Sequence, residues 1–245
     1  GSSNNTPVIA QAPTPPTPPP SLSFEELVVQ FESYYEYQSQ WGLNMINASS
    51  AYARGATGSG ITIGITDSGL DDSHVEISAS RLSDDSALSY SNYTPNTRQK
   101  RHGTMVASIA AAKGWNDIGI RGVAPNASLK AYNVTATGAY NDTNEINALG
   151  NSSLASDVSV FNMSYGSGTF GTALLPLPSD AKFAQITSGA TSLRSNKGAS
   201  YVNSVGNDYN TGATGSSNYS YCGNGANAGT LKISCYDTIF DRVFF

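Results

Sequence analysis

The chain has 245 residues, 39% of them hydrophobic and 13% charged, which is enough apolar material for one sizeable core and too little chain for two comfortable domains. Its formal net charge is −5, and the 13 lysines and arginines are scattered, so no basic stripe exists to neutralise a phosphate backbone and a nucleic-acid partner is excluded. The apolar stretches are short, the run 105–112 being interrupted by Ser108, and none has the length of a membrane-spanning helix.

Most of the 11 prolines lie within residues 1–20, and a segment of that composition is expected to be an extended spacer with nothing to bury. Residues 1–21 are therefore read as a disordered tether. The polar start Gly1-Ser2-Ser3 has neither the charge nor the apolar stretch of a signal peptide, so any such peptide is expected to have been removed or left out.

Ser23 followed by Glu26 forms a capping box before Leu27, Val28, Phe31 and Tyr34, which predicts a helix opening a lead-in over residues 22–55. From Gly55 onward the pattern changes to short β-type runs at 61–66, 129–134, 158–163 and 201–205. Helical stretches are expected between them, at 102–113, 144–151 and 180–196, while the polar segment 78–101 reads as a surface loop. This alternation predicts an α/β class, a doubly wound, mostly parallel sheet in three layers. In such sheets chemistry gathers beyond the carboxyl ends of the strands, where Asp67, Ser164 and Asn207 fall.

Asp67 ends the first β run and is followed by Ser68-Gly69, a tight turn. Taken alone the tripeptide also suits a turn former, a helix cap, or one carboxylate of an aspartic-protease pair. His102 opens a small-residue helix beside Gly103, which permits close backbone approach. An imidazole there can be held against a strand-end carboxylate that orients its tautomer and stabilises the imidazolium formed on taking a proton from a hydroxyl.

The segments 66–71 (Thr-Asp-Ser-Gly-Leu-Asp) and 102–107 (His-Gly-Thr-Met-Val-Ala) resemble the catalytic Asp and His motifs of the subtilases. Their order and their 35-residue separation agree with that family, whose spacing in subtilisin is roughly thirty residues. The run 119–129 resembles the family's turn from the His helix into the next strand, and the lead-in pieces 41–43 and 51–58 resemble those of autotransporter subtilases.

The resemblance implies a subtilisin-like fold, with residues 56–245 forming the N-terminal portion of a catalytic domain that is incomplete at the C-terminus. It implies that Ser164, Tyr165 and Gly166 pair with the substrate backbone and wall the pocket before the scissile bond. It implies that Asn207, in Gly206-Asn207-Asp208, donates to the developing oxyanion, a contact worth about 3 kcal/mol in subtilisin. It also implies a structural calcium ion near residues 115–120, with Glu76 and Asn116 at the matching positions and oxygen ligands that suit Ca²⁺. No cofactor is required for the chemistry itself. His74 is assigned none.

The nucleophile is the missing part. A Gly-Thr-Ser-x-Ala motif is expected roughly 65 residues beyond the oxyanion Asn, which overshoots Phe245, and neither 103–105 nor 229–231 supplies it. The apolar, strand-like stretch 238–245 adds to the expectation of a truncated chain, whether by an incomplete gene, a nick or degeneration. The expected activity is thus serine-type endopeptidase by family, with this chain inactive alone. A non-catalytic binding or passenger module on the same framework and an aspartic-type protease using Asp67 are the alternatives.

Cys222 and Cys235 sit in one Gly/Asn-rich segment, where they form either a disulfide suited to an oxidising compartment or two free thiols. With the tether, low charge and family habit, the expected location is secreted or at the cell surface. The expected partners are a protein or peptide substrate and the remaining C-terminal part of the same protein.

Overall fold

The computed structural model describes residues 22–77, 98–135, 141–165, 179–204 and 230–231. Among the described residues five parallel strands run in the order β2-β1-β3-β4-β5, with β1 at Thr62–Asp67, β2 at Ser128–Asn133, β3 at Val160–Met163, β4 at Ser200–Asn203 and β5 at Thr230–Leu231. The strands built on β-branched and aromatic residues therefore fall where expected, within a residue or two.

The strand alternation sorts side chains to two faces. Ile63, Ile65 and Leu129 are buried against Ala107 and Ala111 of helix α5 (Arg98–Ala111). Tyr132, Phe161, Met163 and Tyr201 are buried on the other face against Leu149 and against Ile186 and Leu193 of helix α7 (Asp180–Asn196). The result is three layers, helix over sheet over helix. Phe161 and Tyr201 stack with ring centroids 4.8 Å apart, joining β3 to β4.

Several boundaries differ from expectation. Helix α5 begins at Arg98, not His102, so residues 98–101 of the expected surface loop are helical and the histidine sits one turn inside. The expected helix at 144–151 is α6 (Asp142–Ile146), capped by Asn141, followed by a wider turn in which Gly150 takes φ 109°. Helix α7 has the expected limits, but Arg194, Ser195 and Asn196 turn left-handed at its end.

The lead-in begins as expected with α1 (Phe24–Glu32), whose Ser23 and Glu26 cap each other reciprocally. Three short helices follow, α2 (Tyr35–Gln38), α3 (Trp41–Met45) and α4 (Ala48–Ala53). Phe31, Tyr37, Leu43, Ala48 and Tyr52 form a third buried cluster, and Trp115 packs against it. No described helix is long and apolar enough to cross a membrane.

Candidate active site

Strands β2 and β3 flank β1 on opposite sides, so the chain reverses its winding direction at β1. In sheets of this kind such a switch marks the crevice at the carboxyl ends of the strands, and here Asp67 ends β1 and Ser164 follows β3.

Asp67 is 1% exposed. Its carbonyl oxygen accepts from the backbone of Val134 and Thr135, and its Oδ1 accepts the Ser68 N–H at 2.7 Å, so main chain and carboxylate are both fixed. His102 reaches it from α5: Nδ1 lies 2.9 Å from Oδ1 and 2.9 Å from Oδ2. A carboxylate only accepts, so Nδ1 is the donor and the proton-free position of the neutral ring is Nε2. The carboxylate is almost dry while the imidazole is half-exposed, at 2% and 53% side-chain exposure. A buried acceptor therefore holds an accessible base.

Small residues make this approach possible. Gly69 turns the chain after β1 with φ 87°, and Gly103 packs so tightly that a Cβ there would lie 2.2 Å from the Gly69 carbonyl oxygen. The Gly103 N–H donates to Ser68 Oγ at 3.2 Å, and the Asp71 N–H donates to Thr104 Oγ1 at 2.9 Å. Ser68 and Thr104 thus lace strand end to helix. Sequence reasoning assigned them nothing, although both stand inside the two motifs it singled out.

Beyond β3, Ser164 Oγ accepts from Asn162 Nδ2 at 2.9 Å. The Tyr165 hydroxyl donates to Glu145 Oε1 at 2.6 Å, and its carbonyl accepts from Ser204 Oγ at 3.4 Å. Lys182 pairs with the same Glu145 carboxylate, which is buried beneath this segment. Glu145 and Lys182 were not legible as partners because nothing in their local sequence marks them. Gly166, Asn207, Cys222 and Cys235 lie outside the described residues, as do the tether 1–21 and residues 232–245.

Glu76 and Asn116 do come together, yet not as a pair of oxygen ligands. Asn116 Nδ2 faces the Glu76 carboxylate at 3.3 and 3.5 Å, and Asn116 Oδ1 accepts the Ile118 N–H at 3.1 Å. The hydrogen bond from Ile118 fixes the amide orientation, so a nitrogen, not an oxygen, points at the carboxylate. So turned, this pair of side chains offers a calcium ion the Glu76 carboxylate alone, against the six to eight oxygens it takes. Among the described residues no group of three or more His, Cys, Asp or Glu converges. His74 Nδ1 accepts the Glu76 N–H at 3.2 Å and takes no part in the crevice.

A model of the subtilase family matches residues 58–239. The chain belongs to the subtilase family. As a subtilase it is 34% identical over 143 residues to subtilisin E of Bacillus subtilis (strain 168), a match covering 57% of this chain and 36% of that protein. It is 31% identical over 189 residues to the Aeromonas extracellular serine protease of Aeromonas sobria, covering 74% of this chain and 29% of the relative. An extracellular serine protease of Serratia marcescens is 38% identical over 133 residues, covering 54% of this chain and 12% of that one. The crystal structure of the Aeromonas sobria serine protease superposes with a TM-score of 0.55 at 29% identity, over 69% of this chain and 28% of that chain. This subtilase chain thus spans about a third or less of the length of these relatives.

Proposed function

We propose that this chain carries the orienting acid and the general base of a serine endopeptidase. The observation that carries the reading is the two-point contact, 2.9 Å to each oxygen, between a buried strand-end carboxylate and Nδ1 of a half-exposed histidine. Asp67 holds the tautomer whose Nε2 accepts the proton of a serine hydroxyl, and it stabilises the imidazolium that results. Asn207 donates to the oxyanion of the tetrahedral intermediate, and the 164–166 segment binds the substrate backbone.

The hydroxyl nucleophile is the one member that no motif within the 245 residues supplies. The chain alone is expected neither to cleave casein nor to become labelled by a fluorophosphonate probe; labelling would show that an unrecognised serine serves. In a form of the protein that includes the nucleophile, Asp67→Asn should lower kcat by about 10⁴-fold with little change in KM, because the ring would lose its correct tautomer. A fall of less than tenfold would remove Asp67 from the mechanism.

The alternative reading is a binding or passenger module on a subtilase frame. Full-length protein that binds but never hydrolyses peptides would support it. A location outside the cell is supported by the relatives named as extracellular proteases and by the proline-rich start of the chain. Fractionation of native material, with the intact mass of the recovered protein, tests it.

A further inference from the structure

Glu36 lies in the second helix of the lead-in and is fully buried. Its Oε1 accepts the backbone N–H groups of Asn116 at 2.7 Å and Asp117 at 2.6 Å, and its Oε2 accepts the N–H of Trp115 at 2.8 Å and Arg121 Nε at 3.0 Å. Three successive amides aimed at one carboxylate form an anion-binding nest. The backbone is shaped for it: Trp115, Asp117 and Gly119 have φ of 62°, 56° and 54°, left-handed values that glycine takes freely and aspartate tolerates but that a bulky tryptophan adopts only when held there. Arg121 carries the balancing charge. It is also fully buried, its guanidinium carbon lying 4.8 Å from the Trp115 ring centroid and 4.9 Å from that of Tyr34.

This loop follows the histidine helix directly. Lys113 N–H donates to the Glu76 carbonyl, and the N–H groups of Gly122, Val123 and Ala124 donate back to Ala112, Ile109 and Ala110, so residues 112–124 wrap the end of α5. The family resemblance implies a calcium ion at this point. The loop instead offers donors to the Glu36 side and turns the Asn116 nitrogen to Glu76 on the other.

We propose that the loop 115–120 is held in this protein by the Glu36 carboxylate of the lead-in, paired with Arg121, in place of a divalent cation. The proposal concerns how the end of the His102 helix is held and stands independently of the catalytic reading.

Terbium(III) is the direct probe, because Trp115 lies within the loop and would sensitise a bound ion. Wild-type chain titrated with terbium is expected to show no saturable luminescence that Glu76→Gln abolishes; a saturable signal lost in that variant would overturn the proposal. Thermal melts of wild-type chain in excess EDTA and in millimolar calcium chloride should coincide, and a midpoint raised by calcium and lost with Glu76→Gln would likewise overturn it. Glu36→Gln should lower the midpoint by about 10 °C, with no recovery on adding calcium. A Glu36→Gln protein that melts like wild type would also refute the role. Should that variant fail to fold, the terbium titration and the paired melts on wild-type chain still decide.

Discussion

A methyl group at position 103 would lie 2.2 Å from the Gly69 carbonyl oxygen and 3.3 Å from Asp67 Oδ1, and neither atom belongs to a side chain free to swing aside. Gly103→Ala must therefore push α5 away from the end of β1. Urea denaturation should show a loss of about 1–3 kcal/mol, the usual scale for overpacking a tight contact, together with a weakened His102–Asp67 hydrogen bond. The downfield proton resonance of the His102 ring reports the second effect independently of the first. This pair of residues could be read from sequence because each sits in a short contiguous motif at a place where α/β sheets gather chemistry. Glu36 could not. It looks like one more polar residue in a short helix, and its acceptor role exists only because residues 79 to 85 positions later fold back over it.

Among the elements, β1 and β3 were legible because β-branched and aromatic runs have few other uses, whereas the start of α5 was hidden by Arg98-Gln99-Lys100-Arg101, which has no apolar period to betray a helix. The tie between α6, β3 and α7 was hidden for the same reason as Glu36: Glu145 meets Tyr165 and Lys182 across separations of 20 and 37 residues. Removing the cation tests how much that tie holds. Lys182→Met leaves a carboxylate that is 1% exposed with its charge no longer balanced by lysine, and stability in urea should fall by about 3 kcal/mol. The double variant Lys182→Met with Glu145→Gln should recover part of that loss, since it removes the stranded charge as well.

For the molecule as a whole, two of the three buried clusters carry a phenol whose ionisation is held back. Burial pushes the Tyr52 hydroxyl well above its usual value of 10.0, against the opposing influence of Arg121, and burial does the same to Tyr201, against the opposing influence of the nearby Gln185 amide. A group whose folded pKa lies above its unfolded one contributes stability that is complete below the unfolded value and is lost as pH rises through the folded one. Stability from these two tyrosines should hold up to pH 10 and fall beyond it, with the 295 nm phenolate absorbance rising as the chain unfolds. Tyr201→Phe should make that alkaline fall shallower, at the cost of the hydrogen bond to the Leu149 carbonyl.

The seat of Glu36 also bears on time as well as on stability. Bringing the lead-in against residues 115–121 closes a segment of 79 to 85 residues, and the chain entropy of that closure is spent before any of the buried hydrogen bonds form. Contacts of this kind are expected to close after the β1–β2 and β3–β4 pairings, which join residues 66 and 40 positions apart, and to be absent from the folding transition state. Weakening them should leave the refolding rate nearly unchanged while accelerating unfolding, so the lead-in acts as a latch on the lifetime of the folded domain.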